Sequence, residues 1–216
     1  MSSVLFTGGA VGADLQFATS SLRAGHTVRI MSFEGHKASL PKETSTTSNS
    51  NLHLERLSGV VLKAADAPLK QAGKKLARSS SGRTDYVTKL LQRNYFQARD
   101  VSSVYAVGRF AAGGRKDSVR IEGGTAWACQ VFVDKSLAGF GSGFGEKSVE
   151  NEARLLQLFF FSQPHKAWFQ CKLAGGATIE WVQMESPPPS PQGKYAGIGT
   201  RVLEAAGKAA VMALFE

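Results

Sequence analysis

Apolar positions along the chain fall alternately into short continuous runs and into stretches with helical spacing. Val4–Thr7 is an apolar run suited to a strand buried on both faces. From Ala13 to Arg23, Leu15, Phe17, Ala18 and Leu22 share one helical face, and Gly25 stands where a helix C′ residue belongs. Thr27–Ser32 predicts a second strand. Gly35–Asn51 is polar and rich in Ser and Thr, the pattern of a loop able to cover a neighbouring site. Leu52–Ala77 predicts a helix broken at Ala67-Pro68. "RSSSGRTD" predicts a flexible connection, and Thr84 an N-cap for a helix running to about Arg99. Val101–Val107 reads as the third strand, and Thr125–Phe132 begins another helix. Leu155–Phe161 is a further strand, followed by "AWFQCKL" and "GATIEWV" as two short strands near the sheet edge. "ESPPPSPQGKY" is a stiff extended linker, and Gly197–Phe215 a closing helix.

Strands separated by helices predict an α/β fold: a three-layer sandwich whose mostly parallel sheet carries helices on both faces. One domain spans 1–216, with an insertion at about 36–83 and a C-terminal helix after the linker 185–194. In such sheets ligands lie beyond the carboxyl ends of the strands, where glycine-rich turns lead into helices.

Gly8, Gly9 and Gly12 sit where the first strand hands over to the first helix. The expectation is a turn whose missing side chains let an anion approach backbone amides at the positive end of a helix. The spacing G-G-x-x-G is neither the dinucleotide fingerprint nor a phosphate loop ending in Gly-Lys-Ser/Thr. Asp14 is either a helix-start carboxylate or an acceptor for sugar or base groups. A second turn, Glu122-Gly123-Gly124-Thr125, again offers amides and a hydroxyl to an anion. Glu122 is a ribose ligand, a general acid or base, or a plain loop carboxylate. A third turn carries Gly197, Gly199, Thr200 and Arg201 and is expected to open the last helix. After the third strand, Arg109 is placed to pair with a phosphate and Phe110 to stack on a base. Asn94 falls on the buried face of its helix and must find partners, bracing a loop or touching ligand, while the helix's other charges read as a solvated face.

The net charge of +9 and pI near 9.7 favour anionic partners, with no run of five like charges to concentrate them. Cys129 and Cys171 lack metal-ligand spacing and read as reduced, buried thiols. His26, His36, His53 and His165 have no ligand spacing either, so neither a metal nor a cofactor is expected; His36 falls near the mouth of the second strand. No basic-then-apolar leader opens the chain, and no apolar run reaches the ~18 residues of a membrane span, which predicts a cytoplasmic protein.

Taken together, "LFTGGAVGADLQFA…GHTVRIMSFEGH", "QRNYFQARDVSSVYAVGRF", "EGGTAWACQVFVD" and "YAGIGTR" resemble the SLOG superfamily. These are Rossmann-like domains related to DprA/Smf proteins and to the LOG, or lysine decarboxylase-like, phosphoribohydrolases, and the likeness is to small single-domain members with a G-G-A-x-G-A-D loop. It covers much of 4–36 and 88–134 and, more weakly, the tail. The resemblance implies a Rossmann-like fold, a pocket for a nucleotide or other phosphorylated small molecule, and homo-oligomers such as a homodimer. Some relatives cleave the N-glycosidic bond of nucleoside monophosphates; others sense nucleotides or bind single-stranded DNA. The enzymes carry P-G-G-x-G-T-x-x-E, whose Glu serves hydrolysis. Here the loop is shorter and no carboxylate follows Thr125, so the anion cradle carries over and the catalytic Glu does not. Three functions are therefore in play. The first is nucleotide binding, with Arg109 and Arg201 on the phosphate. The second is glycosidic hydrolysis using Glu122 or Asp14. The third is nucleic-acid binding, with Phe110, Trp168 and Phe169 as stacking platforms.

Overall fold

Val104, Tyr105, Ala106 and Val107 are all buried, and successive side chains enter opposite halves of the core. A strand so flanked must lie mid-sheet with cover on both faces. The computed structural model describes residues 3–42, 50–80, 82–138, 153–175 and 178–216. Residues 43–49 of the expected polar loop and Ser81 of the expected flexible connection lie outside them.

Among the described residues the strands are β1 (Val4–Thr7), β2 (Thr27–Phe33), β3 (Leu52–Leu57), β4 (Ser103–Gly108), β5 (Arg154–Ser162), β6 (Ala167–Ala174), β7 (Thr178–Gln183) and β8 (Lys194–Gly199). They form one sheet in the order β3-β2-β1-β8-β4-β5-β6-β7. Pairing is parallel from β3 through β5 and antiparallel for β5-β6 and β6-β7. The helices are α1 (Ala13–Arg23), α2 (Gly59–Leu62), α3 (Asp66–Leu76), α4 (Asp85–Ala98), α5 (Thr125–Ala138) and α6 (Ala205–Met212). Phe17 of α1 and Val211 of α6 join Tyr105, Phe159 and Tyr195 on one face. Leu69, Leu91, Trp127 and Phe132, from α3, α4 and α5, join Val104, Leu158 and Phe160 on the other. The molecule is thus the expected three-layer, Rossmann-like α/β sandwich.

Local signals explain several boundaries. Thr84 and Ser58 cap α4 and α2, accepting from the Val87 and Val61 amides. Gly25, at φ +77°, closes α1 in a Schellman turn: its N–H bonds the Leu22 carbonyl and the His26 N–H that of Ser21.

Three expectations are corrected. The segment 52–77 does not begin as a helix, because Leu52–Leu57 pairs with β2 as an edge strand. Nor does Pro68 break α3, since it lies in the first turn, where its missing N–H has no intrahelical partner to lose. The closing helix does not start at Gly197. Lys194–Gly199 is β8, inserted between β1 and β4, and a Cβ on Gly197 would fall 2.5 Å from Phe17 of α1. Small residues there let α1 lie flat on the sheet.

Candidate functional site

From β1 the chain passes through α1 toward β2, and from β4 through α5 toward β5, so the strand order reverses between β1 and β4. Loops at the carboxyl ends of β1, β8 and β4 diverge there, which is where open α/β sheets place ligands. A cavity of about 640 Å³ occupies this point. Its wall includes Ala10 and Asp14 from the first loop, Gly108 and Arg109 after β4, and Glu122 to Thr125. It also includes Gly199 to Arg201 after β8, and one face of α4. The turns singled out in sequence therefore converge on one hollow, though not with the expected division of labour.

The first turn is filled by the protein itself. A Cβ on Gly8 would lie 2.5 Å from the Arg93 guanidinium, and one on Gly9 2.6 Å from Ile30. Gly12, at φ +87°, abuts the Thr200 and Arg201 carbonyls. None of the three lines the cavity wall, so these glycines serve close packing rather than an open cradle. Asp14 is only 4% exposed, and both carboxylate oxygens accept backbone N–H groups, Oδ1 from Gly199 (3.1 Å) and Oδ2 from Ala10 (3.3 Å). The carboxylate staples the first turn to the end of β8 and also lies on the cavity wall. Burial pushes its pKa up, opposed by the Arg93 charge and by these amides. Gly199 reaches the wall, but its amide is held by Asp14 and its Cα packs on Val107 and Ala13.

The second turn is open. Among the described residues nothing stands within 4 Å of a Cβ position on Gly123, and Gly124 meets nothing closer than Asn94 Nδ2, at 3.6 Å. Gly123, Gly124 and Thr125 bring their amides to the start of α5, where first-turn N–H groups have no intrahelical partner and the dipole is positive. The turn is braced from behind. Asn94 Nδ2 donates to the Gly124 carbonyl (3.1 Å), the loop-bracing alternative for that residue. Arg78 donates to the carbonyls of Gly123 (2.9 Å) and Ile121 (3.1 Å). The Glu122 N–H bonds the Arg109 carbonyl, leaving the exposed Glu122 side chain on the cavity wall.

Arg93, which flanks Asn94 in sequence, is 6% exposed. Its Nη1 donates to the Gly8 carbonyl (2.7 Å) and to His36 Nε2 (3.0 Å), and Nη2 to Asn94 Oδ1 (3.4 Å). A guanidinium only donates, so His36 carries its proton on Nδ1 and gives it to Ser32 Oγ (3.1 Å). Burial and the Arg93 and Arg201 charges hold His36 down to about 4. Among the described residues, Arg93 Nε and Nε2 of the neighbouring Gln97, itself 1% exposed, have no hydrogen-bond partner. Both side chains line the cavity, and both orphan atoms are donors. Arg201 and Arg83 also line it. Arg109 does too, but it pairs with Glu204 (2.7 Å) rather than standing free for a phosphate. The loop bearing Arg201 is pinned by Gln163, which donates to the Val202 carbonyl and accepts from the Glu204 N–H.

The expected stacking rings are elsewhere. Phe110 packs among Phe160, Phe169, His165 and Trp181, and Trp168 is buried against Phe161. Phe110 is therefore core-facing and absent from the cavity wall.

The site residues missed in sequence are Arg78, Arg93 and Gln97. For the last two a signal existed: they stand four apart on α4, bordering the stripe that holds Asn94. For Arg78 there was none, since its role depends on a left-handed Ala77 (φ 52°) ending α3.

This defines a Rossmann-like α/β protein with a donor-rich cavity at the point where strand order reverses. No family model matches the chain, no curated protein matches it, and no solved structure matches it. Among the described residues no helix is long and apolar enough to cross a membrane, and no three His, Cys, Asp or Glu side chains group to hold a metal ion.

Proposed function

We propose that the cavity binds a nucleotide or nucleotide-derived ligand, with a phosphate group against the start of α5. The observation that carries this reading is the open turn Gly123 to Thr125 at the start of α5, on a cavity wall that also carries Arg83, Arg93 and Arg201. Five arginines against two carboxylates on the wall give the field the same sign. Val87, Leu90 and Leu91 of α4 supply an apolar surface for a base or sugar face. The resemblance to SLOG proteins points to the same ligand class. Thermal melts with millimolar nucleoside monophosphates test it, with the matching nucleosides as controls. A ligand at 100 times its Kd adds about 2.7 kcal/mol, or about 5 °C or more for a chain of this size. A nucleoside monophosphate is expected to give such a shift and its nucleoside a smaller one. Equal shifts, or none, defeat the reading.

A second reading, hydrolysis of the N-glycosidic bond, rests on Glu122. Its side chain faces the same hollow, whereas both Asp14 oxygens are held by amides. Glu122 would take a proton from water as the water attacks the anomeric carbon and the bonding pair leaves with the base. Chromatographic release of free base, abolished in Glu122→Gln, tests it; wild-type protein that releases none refutes it.

A further inference from the structure

Beside the first cavity lies a second of about 750 Å³, and the two share Arg78 and Leu91 as a common wall. The second is built by α3, by the turn after it and by the outer face of α4. Much of it therefore comes from the insertion at 36–83, for which the SLOG likeness offers no counterpart. The lysines of α3 divide sharply. Lys75 turns toward α5 and pairs with Asp134 at 2.7 Å, a structural contact. Lys70 and Lys74, one helical turn apart, line the cavity instead, and among the described residues neither pairs with a carboxylate. The acid on this wall, Asp66, has Oδ1 engaged by Gln92 Nε2 at 2.7 Å. Thr88 adds a hydroxyl. Arg78 stands at the join and lines both compartments, its guanidinium held by the carbonyls of Ile121 and Gly123.

We infer that the second compartment is an anion subsite, and that the protein's ligand is a nucleotide extended by one further phosphate-bearing unit. The first phosphate sits at the start of α5 and the second between Lys70, Lys74 and Arg78. This rests on the nucleotide reading of the first cavity and adds the ligand's length and second charge. The apolar floor between the two cations of α3 and Arg78, formed by Leu69 and Leu91, leaves room for the linking sugar or base.

Calorimetric titration of the full chain with nucleoside monophosphates, the matching 5′-phosphorylated dinucleotides and a 5′-phosphorylated ten-nucleotide strand tests the inference. The dinucleotide is expected to bind about tenfold tighter than the monophosphate, the gain of one charge-assisted contact set. The Lys70→Ala/Lys74→Ala variant, altered only at exposed positions, should lose that gain and keep monophosphate affinity. Equal affinities in the wild type, or equal weakening of both ligands in the variant, would overturn the second subsite and leave the first reading intact. A large further gain with the ten-nucleotide strand would overturn the two-phosphate limit. Failure of every monophosphate to bind would overturn both.

Discussion

Gly8→Ala measures how tightly the first turn is packed against α4. Gly8 is not held at positive φ, so alanine suits the backbone and the effect isolates the added methyl. That methyl falls 2.5 Å from Arg93 Cζ and Nη2 and 2.7 Å from Gln97 Nε2, so the guanidinium must move. Moving it strains the Nη1 bonds to Gly8 and His36, each charge-assisted and worth about 1.5–3 kcal/mol. Overpacking of this kind costs about 1–3 kcal/mol, and the stiffer unfolded chain returns about 0.4–1 kcal/mol. A net loss of about 2 kcal/mol results if Arg93 keeps part of its bonding. With a urea slope of about 2.5 kcal/mol/M, the midpoint falls by about 0.8 M. On an Arg93→Met background the same methyl meets a flexible apolar chain, so the double-mutant cycle should show about 1 kcal/mol of coupling. A midpoint unchanged or raised by Gly8→Ala, or strict additivity with Arg93→Met, would refute the packing argument.

Gln97→Met removes a buried orphan donor at similar volume, so urea stability should hold or rise by about 1 kcal/mol, and a clear loss would show that Nε2 has a partner. His36 titrates near 6.5 when unfolded and is held down to about 4 when folded, so its contribution is complete above pH 7 and lost as pH falls from 6.5 toward 4. The full shift would be worth about 3 kcal/mol; His36 is half-buried, so screening leaves about 1 kcal/mol. Urea curves for the wild type and His36→Asn should therefore converge by that amount over this range. Arg109→Ala should cost under about 1 kcal/mol, because the Arg109–Glu204 pair is exposed, and a larger loss of stability would show that the pair is not the surface contact described.

The layer architecture was legible because burial on both faces imposes an apolar signal on most central strands, and Leu158–Phe161 carries it without interruption. β8 was not, because its glycines and the proline-rich approach mimic a turn. Only the contact of Phe17 with Gly197 shows why a central strand is written in small residues. In the site, the convergence of separate turns followed from topology, since parallel strands bring their carboxyl ends to one edge. The division of labour between them did not. A glycine with open space above it and one that admits an arginine from α4 look alike in sequence, though Gly123 and Gly8 differ in backbone conformation and in what the fold brings opposite them. Asp14 was half legible for a related reason: its place at the start of a helix could be read, but the Gly199 amide that holds it comes from β8.

The central claim is that a phosphate rests on the amides that open α5. Amide nuclear magnetic resonance of the labelled protein, titrated with nucleoside monophosphates, reads those atoms directly. Saturable shifts are expected at Gly123, Gly124 and Thr125, larger than those at any residue of β6 or β7. If these signals stay fixed at millimolar ligand, or the largest shifts fall on another face, the account is wrong.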